Sequence, residues 1–332
     1  MTTLTLRTLR SPSFFHHTSQ FQSLTTLHLL SPSSRHASTT SLRNPSKQAT
    51  KPSPSSQHPT LASRINGPPS TLPAPLDLPQ RQPGESFFPK YGLKLGKAYL
   101  AFYKAGVRNI WGNYKAAKLV QSTLNSKYDG SLQKAVEAGA LSRHDFQLLT
   151  RNWFDVKRVP VFALLFMICG EFTPLVVIIV SSVVPWTCRI PKQIEGDRRK
   201  LEMRRAISFR NLVASPPTEK GTEGLERQQL IHISWSLGLS SSAWDWLGGQ
   251  YPGLPTFMLR KKVAKRVEYL EMDDRLIGSS GAQEMTPEEL TIALVERGVD
   301  VMGKSEKDLK ALLVSWQKST GKVPVENLLL TR

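Results

Sequence analysis

The chain has 332 residues but only two cysteines, Cys169 and Cys188, and neither stands at a metal-ligand spacing. This argues against both a disulfide scaffold and a cysteine-based zinc site. Histidine is equally unhelpful, because five of the seven lie within residues 1–58. No nucleophile–base set or metal cluster can be assembled, so the reading is of a protein that is not an enzyme. It needs no cofactor, and no small-molecule substrate is evident. Acid is scarce too: 26 Asp and Glu face 44 Lys and Arg, a formal net charge of +18. Such a balance predicts attraction to polyanions, either nucleic acid or an anionic membrane surface.

The shortage of acid is sharpest at the start. From Met1 to Leu76 there is no Asp or Glu, while Ser, Thr, Arg, His and Pro dominate. Arg7, Arg10 and Arg35 stand among Leu4, Leu6, Phe14 and Phe15. A basic, hydroxyl-rich, acid-free N-terminus is the composition of a mitochondrial transit peptide, because a membrane potential pulls positive charge inward. No long apolar run follows the first arginines, which argues against a secretory signal. We assign residues 1–43 to the transit peptide, with Arg35–Ser38 as the processing neighbourhood. Residues 44–86, rich in Pro and Ser, read as a disordered linker without a core.

Acid is absent again from Phe87 to Tyr128. On a helical wheel Lys90, Lys94, Lys97, Lys104, Arg108, Lys115 and Lys118 fall within an arc of about 120°. Leu95, Tyr99, Phe102, Tyr103, Ile110 and Tyr114 lie largely on the other side. Residues 87–158 therefore read as a basic amphipathic helical region. It suits either an anionic lipid surface or a partner helix. A further helix begins at Ser142, with Asp145 as capping-box partner, and runs to Lys157–Arg158.

Only one apolar run is long. Val159–Trp186 holds 28 residues with a single charge, Glu171. A straight helix of that length would run about 42 Å against a hydrocarbon core of about 30 Å, so the expectation is one transmembrane segment over 159–186. Pro174 should kink it. Glu171, one turn earlier, needs a proton, a partner or water at that depth, which makes it a candidate ion or proton site. A broken two-pass hairpin is the alternative. Four Lys/Arg in residues 140–158 against seven in 187–206 place the C-terminal side in the charge-retaining compartment, the matrix of a mitochondrion.

The remainder, 187–320, reads as all-helical, with a tail at 321–332. Pro255 opens a helix whose Arg260, Lys261, Lys262, Lys265 and Arg266 are candidate anion- or ribosome-binding residues. Thr286-Pro287-Glu288-Glu289 is a strong helix start. Gly298-Val-Asp-Val-Met-Gly-Lys-Ser305 fits the phosphate-loop pattern, but its first glycine ends a helix and no buried strand precedes it. Gly298, Gly303, Lys304 and Ser305 are thus assigned to a turn, with Ser305 as an N-cap and Asp308 at the third helical position. The hairpin 286–318 is similar to small SAP-type nucleic-acid-binding hairpins, which offers a soluble nucleic-acid binder as an alternative.

Taken together, "VPVFALLFMICGEFTPLVVIIVSSVVPWTCRIP", "LRKKVAKRVEYLEMDDRLI" and "MTPEELTIALVERGVDVMGKSEKDLKALLVSWQ" resemble the Letm family of mitochondrial inner-membrane proteins, in its shorter branch. Glu171, Pro174 and Pro185 match its span, Asp273-Asp274 its acidic pair, and Glu289-Leu290 with Arg297-Gly298 its hairpin. The resemblance implies a mainly α protein. A disordered presequence and linker, a transmembrane helix and an all-helical ribosome-binding domain, 14-3-3-like, are its parts. It implies the mitochondrial ribosome and inner-membrane lipid as partners, with homo-oligomerisation, a matrix-facing C-terminal domain, and a role in translation, membrane insertion or organelle ion homeostasis. A cation/proton exchanger, or its regulator, is the alternative it offers. The EF-hand of longer members has no counterpart here, and Ile178 and Ile179 stand near the place of their intramembrane lysine.

Overall fold

The computed structural model describes residues 64–84, 86, 90–169, 183–212, 221–240 and 254–331. The transit-peptide expectation, the linker up to residue 63, Glu171 and Pro174 lie outside the described residues. All described elements belong to the unit Ser56–Arg332. Among the described residues every regular element is helical, as the sequence predicts.

Helix α1 spans Gly92–Tyr128. Its buried residues, Phe102, Gly106, Ile110, Asn113, Ala117 and Leu124, recur at three, four or seven positions, one stripe of a 3.6-residue period. It stops where Asp129 and Gly130 take positive φ, 52° and 72°, and the Gly130 amide returns to the Leu124 carbonyl, a left-handed cap. A short α2 (Leu132–Glu137) follows. Helix α3 (Arg143–Cys169) then returns along α1. Its start is as read, since the Asp145 amide donates to Ser142 Oγ. Beyond lie α4 (Pro191–Asn211), α5 (Arg227–Ser236), α6 (Thr256–Ile277), α7 (Gly281–Glu284), α8 (Pro287–Glu296), α9 (Glu306–Thr320) and α10 (Val325–Leu328).

Helix α6 is the spine. Leu259, Val263, Val267 and Leu270 enter a core with Leu230 and Ile233 of α5 and Val325 of α10. Ile277 enters a second core with Leu290, Leu294, Leu309 and Leu313. Tyr269 and Met272 face a third, formed by Leu124, Val136 and Phe146. One helix therefore carries apolar side chains on most of its circumference, as a central helix must.

Three boundaries differ from the sequence reading. Residues 64–72 are not a linker without a core. Ile65 is buried in the α8–α9 core, Asn66 bonds the Glu284 carbonyl and the Thr286 amide, and Ser70 pairs with Asn113 of α1. A polar strap of this kind is held by hydrogen bonds rather than apolar mass, so composition alone hides it. Nor is 321–332 a tail, because Val325 and Leu329 are buried in the α5–α6 core.

The third difference concerns the two ends of the expected span, whose residues 170–182 lie outside the described residues. Among the described residues no helix is long and apolar enough to cross a membrane. Helix α3 does not end before Val159. It runs unbroken through Pro160 to Cys169, and its first half is charged and packed in the protein. The far end of the apolar run leaves the helix altogether: Trp186–Cys188 form a 3-10 turn, and Val184 and Cys188 are buried against Ile110 of α1. Asp155, four residues before the run, accepts the Trp186 amide at 2.6 Å and the Thr187 amide at 3.4 Å. The two ends of the apolar stretch therefore meet.

This meeting is tight. A Cβ on Gly106 would lie 2.7 Å from Cys188 Sγ and 2.9 Å from the Thr187 carbonyl oxygen. Gly106→Ala is expected to cost about 1–3 kcal/mol through overpacking. Gly96→Ala, on the same helix with nothing within 4 Å, should gain a few tenths to about 1 kcal/mol from helix propensity. Thermal unfolding of the two variants checks the contrast.

Candidate functional site

Two features unite α1, α3, α6 and α8. The first is a buried ion network. Asp273 of α6 has no exposed side-chain surface, and accepts from Arg143 Nε of α3 at 2.8 Å and Arg297 Nη2 at 2.8 Å. Gln147 adds a third bond at 2.8 Å. Glu289 accepts from Arg143 at 3.0 Å and from Arg151 at 2.6 and 2.9 Å. Arg297 also reaches Asp274 at 2.6 Å, whose other oxygen accepts the Trp316 indole at 2.8 Å. Tyr269 joins Gln147 to Glu296, and Glu296 faces Arg266 at 3.8 Å. Four arginines thus meet four carboxylates. The strap adds the Ile65 carbonyl on Arg143 and the Thr71 hydroxyl on Arg151.

Burial opposes ionisation of Asp273, but Arg143 and Arg297 outweigh it and hold the carboxyl below the usual carboxylate range. Burial is likewise overcome at Glu289 by Arg151 and Arg143, which lower it. At Asp274 burial prevails and raises the carboxyl despite Arg297. The acidic pair, Glu289 and Arg297 are therefore interior joints, which present no charge to a partner.

The second feature is a groove of about 1170 Å³ between α1, α3 and α6, edged by α2 and Leu239. Phe146, Leu149, Leu132 and Met272 line its apolar floor, and Phe146 stacks on Tyr269 at 5.3 Å. Lys118, Lys157, Lys262, Lys265 and Arg266 stand on its rim, with Glu268 as a carboxylate among them. At the rim Trp153, 46% exposed, carries Lys157 Nζ 3.5 Å and Lys265 Nζ 5.2 Å from its ring centroid. Two cations over one half-exposed ring attract it by about 0.5–1 kcal/mol each and favour this placement of both lysines.

The five basic residues named from α6 divide. Lys261 is exposed. Lys262 and Lys265 reach the groove, with Lys262 Nζ also donating to the Leu239 carbonyl at 3.1 Å. Arg260 instead meets Glu223 at 3.5 Å and the Leu225 carbonyl, and Arg266 meets Glu296 and the Tyr269 ring at 5.2 Å. The α3 and α1 members of the rim, Trp153, Lys157 and Lys118, were not singled out as site residues. They lie about a hundred residues or more from α6, and only the packing of three helices brings them together.

Around the false phosphate loop, Gly298 and Gly303 take φ of 80° and 70°. Ser305 caps α9, accepting from the Asp308 amide while the Asp308 carboxylate takes the Ser305 amide. Lys304 sits exposed beside the turn. Among the described residues no group of His, Cys, Asp and Glu is arranged to hold a metal ion.

Comparison with known families divides the chain once. Residues 88–220 match the PNT1 family, the Pentamidine resistance factor domain, and residues 219–332 match the family described as LETM1-like, RBD. No curated protein and no solved structure matches. The buried network crosses that division, since Arg143, Gln147 and Arg151 stand in the first match and Asp273, Glu289 and Arg297 in the second.

Proposed function

Since the chain belongs to the Letm family, we propose that it is a mitochondrial inner-membrane-anchored binding module that docks the mitochondrial ribosome from the matrix side and thereby supports translation, membrane insertion or ion homeostasis. The observation that carries this reading is the LETM1-like RBD match over 219–332, whose α6 sets Lys261, Lys262 and Lys265 toward solvent and the groove. Clustered lysines neutralise rRNA phosphates or acidic ribosomal surfaces without catalytic chemistry. Trp153 between two lysines adds an aromatic edge of the kind that single-stranded nucleic acid stacks on. The exchange alternative rests on Glu171, outside the described residues. The SAP-like alternative rests on α8–α9, whose apolar faces are already occupied by Ile65 and Ile277.

The test is co-sedimentation of the full chain with mitochondrial ribosomes between about 50 and 200 mM salt. Lys261→Glu, Lys262→Glu and Lys265→Glu together are expected to weaken binding at least about tenfold and flatten the logarithmic salt slope by about three, roughly one per lysine. Arg260 and Arg266 are left in place because they already have acidic partners. Unchanged affinity with an unchanged slope would remove this surface from the docking.

A further inference from the structure

The outer end of the α1–α3 pair is built differently from the rest of the surface. The two helices run antiparallel, since Leu124 shares a core with Phe146 and Ile110 packs with Phe162 and Leu165. The first half of α1 and the last third of α3 therefore share one end. There α3 exposes Val161, Leu164, Met167 and Ile168, the last two at 81% and 75%. Helix α1 exposes Leu93, Leu100, Val107 and Trp111, which recur at seven, seven and four positions and so share a face. Lys97, Lys104, Arg108 and Lys115 are exposed beside them, and Lys115 lies 5.2 Å from the Trp111 ring centroid. No acid occurs between Phe87 and Tyr128. Bare apolar side chains of this size, interleaved only with cations and carrying a Trp, fit the boundary between anionic headgroups and acyl chains. A water-facing helix would mix acids with its lysines, and a buried protein interface would not carry so many like charges.

The Asp155–Trp186 contact adds a topological constraint. The segments that flank the apolar stretch touch each other, so both stand on one side of any bilayer that this end meets.

We infer that the α1–α3 end seats in one leaflet of an anionic bilayer as a monotopic anchor. Its apolar side chains enter the acyl layer, its lysines reach the phosphates, and residues 143–158 and 187–212 remain on the same face of the membrane. This rests on the membrane-anchored part of the proposed function, and its test uses no ribosomes.

The full chain is reconstituted with vesicles of phosphatidylcholine and phosphatidylglycerol. In a Cys169→Ser, Cys188→Ala background, single cysteines are placed at the exposed positions Gln133 and Lys200 and labelled with a membrane-impermeant maleimide. Both are expected to react from the same side. Labelling from opposite sides overturns the inference and restores a single crossing. In a second arm, Leu100→Glu with Val107→Glu, both at exposed positions and harmless to the core, is expected to lower flotation with these vesicles by about tenfold or more. Lys97→Glu with Lys104→Glu should abolish the preference over pure phosphatidylcholine. If the apolar pair variant floats like the parent and instead splits a dimer, the face is covered by a second copy and the lipid assignment fails.

Discussion

Replacing Asp273 by alanine is expected to lower the stability of the helical unit by about 3–5 kcal/mol, the usual result of removing one partner from a buried ion network. The carboxylate touches Arg143, Gln147 and Arg297 and has no exposed surface. Its loss leaves an excess positive charge in the interior, which hydration cannot reach. Against a total of about 5–15 kcal/mol, such a loss decides whether the unit stays folded on modest warming. Urea unfolding monitored by far-UV circular dichroism measures it. Removing the opposing charge as well, with Asp273→Leu and Arg143→Met, should recover part of the loss. A buried pair replaced by apolar groups of similar volume is often neutral. If the single and double variants are equally unstable, shape rather than charge balance governs the site.

The same residues set the pH dependence. Asp273 and Glu289 are held below their ordinary values, by arginines that overcome burial. They bind protons less readily folded than unfolded, so their contribution is complete above the unfolded-state value near 4. It is lost as pH falls through the lower folded values. Asp274 is raised by burial and carries the opposite sign, taking up its proton earlier and softening the upper edge of the transition.

How far the sequence foretells this arrangement depends on range. Local signals hold. Ser142 with Asp145, Thr286 before Pro287, and Ser305 with Asp308 each start a helix where the pattern puts it, because a cap involves only neighbours within three residues. Gly298 ends α8 for a similarly local reason. The helical wheel of α1 correctly separates Phe102 and Ile110 from the lysines, yet Tyr114 is exposed and Trp111 bare. A wheel finds a face without saying what covers it. Pairings across the chain are beyond local reading. Arg143 meets Asp273 across 130 positions, and nothing in either neighbourhood distinguishes an arginine destined for the interior from one on the surface. The resemblance marked Asp273, Asp274, Glu289 and Arg297 as a pattern without giving their task, which is to join two family-matched halves. The span, whose residues 170–182 lie outside the described residues, meets a related limit. A window of hydropathy measures length and apolarity but not whether the ends of the window touch, and Asp155 with Trp186 bring them together.

That joining makes a strong statement about fragments. Residues 187–332, although all-helical and rich in caps, are expected not to fold stably alone, whereas 64–332 should. The shorter piece keeps Glu289 but loses both Arg143 and Arg151, its salt-bridge partners among the described residues. It keeps Asp273 but loses two of its three donors, and it loses Ile65 from the α8–α9 core and Phe146 from the face of Tyr269. The apolar faces that α3 and the strap cover are opened to water as well, at a cost of about 25 cal/mol for each Å² exposed. The pH response should also weaken. With the arginines present, Glu289 and Asp273 favour the folded state at neutral pH and lose that contribution on acidification. In 187–332 the arginines of α3 are gone and the helix that covered Glu289 is gone with them, so its carboxylate is open to water and contributes little to the pH dependence. Urea titrations of both pieces at about pH 3 and 7, either side of the ordinary carboxyl values, separate these cases. Equal stability of the two pieces at pH 7 would show that the network fastens the halves without supporting the second.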